Sequence, residues 1–130
     1  MSDSSADFEL SEVEDLVRIR RAGEVDLLQL APTLPRLVEA HPERRRFRML
    51  LDYREATLTS LSRAEVASLV AQDRVVMGDV DVVRMAVVVG SDVAFGIIRM
   101  YASLTAGSPM DIEVFRDLDE AEAWIEASPD

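Results

Sequence analysis

The stretch of sequence that decides the fold reads Met85-Ala86-Val87-Val88-Val89. Its apolar residues do not alternate with polar ones, which is typical of a strand covered by helices on both faces, as in a parallel sheet. A turn follows at Gly90, and either Ser91 or Asp92 is expected to cap a helix that runs through Leu104. The stretch therefore predicts a buried central strand in a layered α/β domain.

Two more elements are predicted on the carboxyl side of this strand. Gly107 and Pro109 are expected to end the helix, and the apolar run at 112–115 predicts the last strand. Asp117 followed by Glu120 is a capping pattern that opens a final helix. The residues of that helix expected to face inward are Leu118, Ala121, Trp124 and Ile125.

On the amino side, the apolar run 47–51 predicts a central strand that residues 52–54 close. Ser62 followed three residues later by Glu65 is a capping box. The helix it opens is expected to bury Val66, Leu69, Val70 and Val76. Helical spacing within 25–41 predicts another helix, which either runs from near Pro32 to before Pro42 or is longer and kinked.

The amino-terminal region predicts two short strands, at 8–13 and 15–21, with an antiparallel hairpin as the hypothesis for their pairing. Residues 1–7 are small and polar and are expected to form a disordered tail, so that residues 8–130 form one domain. Because strands alternate with helices, we predict an α/β fold with four strand–helix units. The sheet is expected to be mostly parallel and five-stranded, with an antiparallel amino-terminal edge strand.

The composition excludes several classes of function. The net charge of −11 argues against nucleic-acid binding, which depends on cations that neutralise phosphates. All 14 basic residues are arginine, and the absence of cysteine rules out disulfides, thiol nucleophiles and thiolate metal sites. No run approaches the length of about 20 apolar residues that spans a membrane, and no secretory signal begins the chain. We therefore expect a cytoplasmic protein.

Three segments in a fixed order resemble the SpoIIAA-like family, a group of STAS/SEC14-type bacterial proteins of largely unknown function. They are residues 84–90, residues 94–101, and residues 114–121 together with Trp124. The resemblance implies the α/β fold derived above. It also implies a regulatory or protein-interaction module that is not an enzyme, because anti-sigma-factor antagonists share the fold. A small apolar ligand, bound or sensed as in lipid-transfer SEC14 domains, is the alternative.

The same resemblance points to a phosphorylation switch after the third strand. Counting from Asp52, Ser60 takes the position of the antagonists' phosphoserine, and Ser62 stands where they have glycine. The acidic residue that precedes the antagonists' phosphoserine motif is missing as well, and Thr59 stands before Ser60. Ser60 and Ser62 are thus the candidate switch residues, against the simpler interpretation that they belong to a loop and a helix cap.

Two other clusters are candidate binding surfaces. The first is a dense run of positive charge that would bind an anion, formed by Arg44, Arg45, Arg46 and Arg48. The simpler interpretation is a solvent-exposed face, which charge runs commonly mark. Phe95, Ile98, Met100 and Tyr101 give one helix more apolar surface than a single core stripe needs. They predict a ligand groove, a contact with a protein partner, or a homodimer interface, against the simpler interpretation of a thick core stripe.

The sequence does not assemble a catalytic or metal site. Asp52, Asp92 and Asp117 are expected near the carboxyl ends of strands, where α/β domains place ligands, but Asp92 and Asp117 suit helix caps. His41 is the single histidine, and without cysteine it makes a zinc site a poor interpretation. We therefore expect no catalytic residues, no cofactor and no metal.

Overall fold

A computed structural model describes residues 6–10, 16–29, 46–76, 81–107 and 110–127 of the chain. In those ranges strands and helices alternate after the first hairpin, as the sequence predicts. The strands are β1 (Ala6–Leu10), β2 (Leu16–Val25), β3 (Arg46–Leu58), β4 (Asp81–Val89) and β5 (Asp111–Phe115). The α-helices are α1 (Arg63–Val76), α2 (Asp92–Leu104) and α3 (Leu118–Glu126), and a short 3-10 turn occupies Leu27–Gln29.

The sheet has the strand order β1-β2-β3-β4-β5. Strands β2 to β5 are parallel to their neighbours. Four of the five strands thus form the parallel part of the sheet, and β1 is a short edge strand that pairs with β2 in antiparallel register. The helix predicted within 25–41 falls mostly on residues 30–45, which lie outside the described ranges, so three α-helices are described.

The prediction that β4 is buried on both faces is confirmed. Met85 to Val89 are each exposed by 8 % or less. Val87 and Val89 belong to the larger core cluster, which contains the inward residues of α1 and α2. Ala86 and Val88 belong to the second cluster, which α3 completes with Ala121 and Ile125. Alternate β4 side chains thus enter two separate apolar layers, as expected for a sheet between helices.

The predicted end of β3 is wrong. Residues 52–54 do not close the strand, which continues to Leu58. The register with β2 shifts there, because β3 advances from Asp52 to Glu55 while β2 advances only from Arg20 to Ala22. One extra residue in β3 makes a β-bulge, which re-aims the side chains that follow. Ala56 and Leu58 thereby return to the larger core cluster.

The bulge lies against the turn after β4. A Cβ built on Gly90 would overlap the carbonyl oxygen of Arg54, with the Arg54 carbonyl carbon also 3.3 Å away. Because the obstacle is backbone, it cannot swing aside as a flexible side chain could. Gly90 is therefore the residue that lets the β3 bulge and the start of α2 approach each other.

The predicted starts of the three described helices are confirmed. The Ser62 hydroxyl accepts a hydrogen bond from the Glu65 amide (3.1 Å), and the Ser62 amide donates to Glu65 Oε1 (2.8 Å). Ser91 rather than Asp92 caps α2, since its hydroxyl accepts from the Ala94 amide at 3.1 Å. The Asp117 carboxylate caps α3. None of the described helices combines the length and hydropathy that crossing a membrane requires.

Candidate functional site

The loops that follow β3, β4 and β5 all lie at one side of the sheet, because these strands are parallel. We call this side the carboxyl edge and define it as residues 52–62, 90–92 and 116–117. Crevices outside the carboxyl ends of strands are the usual ligand sites of open α/β sheets. The carboxyl edge also carries the amino termini of all three described helices, whose free N–H groups favour negative charge.

The loop after β3 presents a serine to solvent from a fixed backbone. The Thr59 amide donates to the Val25 carbonyl oxygen at 2.9 Å, and half-buried Leu61 packs against the larger core cluster. Ser60 lies between these two anchors and is exposed. Ser62 is exposed as well, but its hydroxyl and amide are both used in the reciprocal cap with Glu65. The two candidate switch serines thus differ, because only Ser62 has a structural role in the helix start.

Asp52 is held in an ion pair inside β3. Its two carboxylate oxygens accept from the Arg54 guanidinium at 2.9 and 2.8 Å, and the Asp52 side chain is 14 % exposed. Burial alone would raise the pKa of Asp52, but the hydrogen bonds from Arg54 outweigh it and hold this pKa below 3.8. A carboxylate stabilised in its charged form is a weak proton carrier near neutral pH.

The other two acidic candidates are also occupied. Asp92 accepts from Arg116 Nη1 at 2.8 Å across the mouth of the edge, and both side chains are largely exposed. Asp117 accepts from the amides of Asp119 and Glu120 as the cap of α3. Its charge also helps to raise the pKa of Arg54, after the larger effect of the Asp52 hydrogen bond. The three aspartates therefore reach the same edge, but each has its own partner within the chain.

The described part of the chain contains no group of three or more histidine, cysteine, aspartate or glutamate side chains placed to hold a metal ion. His41 lies outside the described residues. The carboxyl edge thus offers an exposed serine, helix amino termini and several ion pairs. These groups can contact another molecule, but their arrangement does not form an acid–base pair of the kind that proton-transfer catalysis uses.

The arginine run is divided by the structure. Arg44 and Arg45 lie outside the described residues, and Arg46 is exposed at the start of β3. Arg48 is half-buried, and its Nη1 donates to the carbonyl oxygen of Ile125 at 2.7 Å. At least one member of the run therefore binds the end of α3.

Two arginines that the sequence did not single out join Arg48 beneath α3. Arg84 lies beside Arg48 in the register of β4 with β3, donates to the Trp124 carbonyl oxygen at 2.7 Å, and places its guanidinium 4.8 Å from the Trp124 ring centroid. Arg18 forms a two-bond pair with Glu122 at 2.8 and 2.9 Å, which lowers the pKa of Glu122. Cations complement the carbonyl end of a helix, so these arginines fix α3 on the sheet.

The four apolar α2 residues do not share one environment. Ile98 and Tyr101 are core residues, exposed by 6 % and 7 %. The Tyr101 hydroxyl donates to Asp73 Oδ2 at 2.7 Å, which ties α2 to α1. Phe95 and Met100 are half-buried at the rim of the core. Only these last two have side-chain surface left for a partner.

Comparison with known proteins gives a family and a fold. A family model described as SpoIIAA-like matches residues 16–126. An uncharacterised protein with a SpoIIAA-like fold from Shewanella loihica PV-4 aligns with a TM-score of 0.60 and 17 % identity, over 96 % of this chain and 98 % of that one. An anti-sigma factor antagonist from Mycobacterium paratuberculosis aligns with a TM-score of 0.53 and 16 % identity, over 95 % and 96 %. No curated protein matches the chain significantly.

Proposed function

This chain belongs to the SpoIIAA-like family, since the family model covers residues 16–126, and from that premise we propose that it is a regulatory module, not an enzyme, that binds a protein partner. The observation that carries the proposal is Ser60, an exposed hydroxyl held at the carboxyl edge between two anchored residues. We assign partner binding to the loop 59–62 and the first turn of α1.

The geometry of the loop supports recognition by another protein. Preorganised surface contributes to affinity because little ordering entropy is lost on binding. The backbone of the loop is tied to β2 through Thr59 and to the core through Leu61. The neighbour from Mycobacterium paratuberculosis is an anti-sigma factor antagonist, which by its description acts on another protein. A partner of the protein class is the corresponding proposal for this chain.

Phosphorylation of Ser60 is the proposed regulation. A phosphate adds about −1.5 to −2 charges at pH 7 and strong acceptor oxygens. At Ser60 it would lie near the amino terminus of α1, where Arg63 is exposed and the first-turn amides favour an anion. Glu65 in the same turn opposes it. The added charge would therefore change the surface that a partner meets more than it would change the stability of the fold.

Photo-crosslinking in the native host tests the assignment. A photoreactive phenylalanine analogue is placed at position 60 and, as the matched control, at exposed position 106 beyond the end of α2. We expect a discrete crosslinked protein from the probe at position 60 and none from the probe at position 106. With the probe moved to position 59, the same crosslink should form, and a Ser60→Asp change in that protein should weaken it. Equal adducts from both positions, or none from either, would contradict partner binding at this loop.

The alternative, a carrier or sensor of a small apolar ligand, lacks a comparable observation. It requires an apolar pocket of roughly 300 Å³ or more. The α2 residues that suggested a groove include Ile98 and Tyr101, whose side chains are buried in the core. Native mass spectrometry of the purified chain distinguishes the two functions, because a ligand carrier shows a bound small molecule and a partner-binding module does not need one.

A further inference from the structure

The outward face of α2 has a composition that packing among the described residues does not explain. Six residues form this face: Asp92, Val93, Gly96, Arg99 and Ser103 are exposed, and Met100 is half-buried where the face borders the larger core cluster. Val93 is 56 % exposed, one of the two most exposed large apolar side chains in the described residues. We call these six residues the α2 outer face.

Gly96 lies at the centre of the α2 outer face, and nothing within the described chain requires it. A Cβ built there would meet no atom within 4 Å. Glycine inside a helix is unfavourable by about 1 kcal/mol relative to alanine. A glycine on an open helix surface also lets another backbone approach closely. Its use in the middle of α2 therefore points to a contact with a second helix.

The residues on either side of Gly96 separate into a charged flank and an apolar flank. Asp92 and Arg99 lie on one flank, and Val93 and Met100 lie on the other, by the 100° rotation per residue of a 3.6-residue turn. Asp92 and Val93 precede Gly96 by four and three residues, while Arg99 and Met100 follow it by three and four. The pattern is nearly symmetric about Gly96, with opposite charges at its two ends.

A face of this kind is complementary to itself when two copies cross in antiparallel orientation at Gly96. A two-fold axis perpendicular to both helices keeps each flank on its own side. With a rise of about 1.5 Å per residue, Asp92 lies about 6 Å before the crossing and the second copy's Arg99 about 4.5 Å from it, so they meet. On the other flank Val93 lies about 4.5 Å before the crossing and the second copy's Met100 about 6 Å from it, so these two side chains meet as well. A parallel two-fold pair would instead exchange the flanks and place Asp92 against the second copy's Val93, so that neither charge is paired.

We propose that two copies of this chain associate through the α2 outer face, antiparallel about Gly96, with two Asp92–Arg99 ion pairs on one flank and two Val93–Met100 contacts on the other. This isologous arrangement is the usual one for a two-fold dimer. Asp92 already accepts from Arg116 through Oδ1, so the pair with the second copy extends an existing ion pair. The contact is separate from the loop 59–62, and its failure would leave the proposed partner site untouched.

The dimer is expected to be weak. A contact between two helices of 13 residues lies at the low end of specific interfaces, below about 1,200 Å² in total. Asp92 and Arg99 are exposed, so the two proposed ion pairs should weaken with salt. The weight-average mass should therefore rise from 14.5 kDa toward twice that value as the concentration increases from micromolar to millimolar.

Charge reversal provides the test, by sedimentation equilibrium of the full chain at low salt. Arg99→Asp and Asp92→Arg should each weaken association by about tenfold or more, because each change sets like charges against each other twice. The double variant D92R/R99D should restore association, and an equimolar mixture of the two single variants should associate although neither does so alone. Recovery in the double variant is specific to the antiparallel arrangement.

Two controls keep the outcome interpretable. Glu120→Arg reverses an exposed first-turn charge on α3 and should leave association unchanged. Gly96→Glu should abolish association while circular dichroism shows the fold retained, since its Cβ enters open space. A wild-type chain that stays at 14.5 kDa at millimolar concentration would overturn the proposal. So would a dimer that persists in both Arg99→Asp and Gly96→Glu.

Discussion

Replacing Gly90 and Gly96 with alanine should change stability in opposite directions. In Gly90→Ala the new methyl group meets the Arg54 carbonyl at the β3 bulge, and every atom it meets belongs to the Arg54 backbone. Forcing extra volume into a packed site is typically destabilising by about 1–3 kcal/mol. We expect the upper part of that range or more, because the obstacle is the backbone of β3 and a shift of the start of α2 would disturb the Ser91 cap.

Gly96→Ala is the matched control for Gly90→Ala. The same methyl group enters open space in the middle of α2, so the variant should gain about 0.5–1 kcal/mol of helix stability. Urea unfolding, followed by Trp124 fluorescence at a protein concentration low enough to keep the chain monomeric, measures both changes. If Gly90→Ala is neutral or stabilising, the close approach of the β3 bulge to the β4–α2 turn is wrong.

Three further predictions follow from the core, a cap and an ion-paired carboxylate, each measured by urea unfolding. Ile125→Ala should lower the free energy of unfolding by about 2–5 kcal/mol because Ile125 is fully buried between α3 and the sheet, while exposed Glu126→Ala should change it little; a small effect at Ile125 would show that α3 does not pack there. Ser62→Ala should lower stability by about 0.5–2 kcal/mol through loss of the cap, whereas Ser60→Ala should be near neutral, and equal effects would contradict the separate roles of the two serines. The folded-state pKa of Asp52 lies below 3.8, so the stability that its ionised carboxylate contributes is present above pH 3.8 and is lost as the pH falls through the lower folded value. Asp52→Asn should therefore be less stable than wild type at pH 7, and the free energies of unfolding of the two proteins should converge in acid. A difference in unfolding free energy that stays constant with pH would contradict this.

The parts of the fold that sequence predicted well are those decided by local patterns. The apolar run at 85–89 has no turn or polar residue to interrupt it, and its burial on both faces follows from that. The capping box at Ser62 and the cap at Asp117 use groups three residues apart or fewer, so their hydrogen bonds can be anticipated from spacing alone.

The parts that sequence missed depend on contacts between distant residues. Asp52 and Arg54 look like the polar end of a strand, but the bulge and their mutual ion pair keep them within β3. Arg48 is one of a run of charges, and nothing local shows that it binds Ile125, which is 77 positions away. A signal in the sequence that could have revealed this cluster is that Arg18, Arg48 and Arg84 lie on three separate strands, which are neighbours in the sheet.

The candidate sites show the same division. Helical spacing correctly placed Ile98 and Tyr101 on the inner side of α2, but it could not tell a thick core stripe from a groove, because that depends on how much of α1 and the sheet lies opposite. The exposure of Ser60 was predictable from its position after a strand and before a cap. Its two anchors, Val25 and the core around Leu61, required the structure.

Hydrogen exchange of the backbone amides tests most directly the claim on which the site rests, that β4 is a shielded interior strand of a sheet whose carboxyl edge carries the exposed loops. The amides of Met85 to Val89 should exchange more slowly than any others, near the rate set by global unfolding, while those of Ser60 and Leu61 should exchange within the first time points. Rapid exchange across residues 85–89, at rates like those of the loop, would contradict the layered sheet and with it the placement of Ser60.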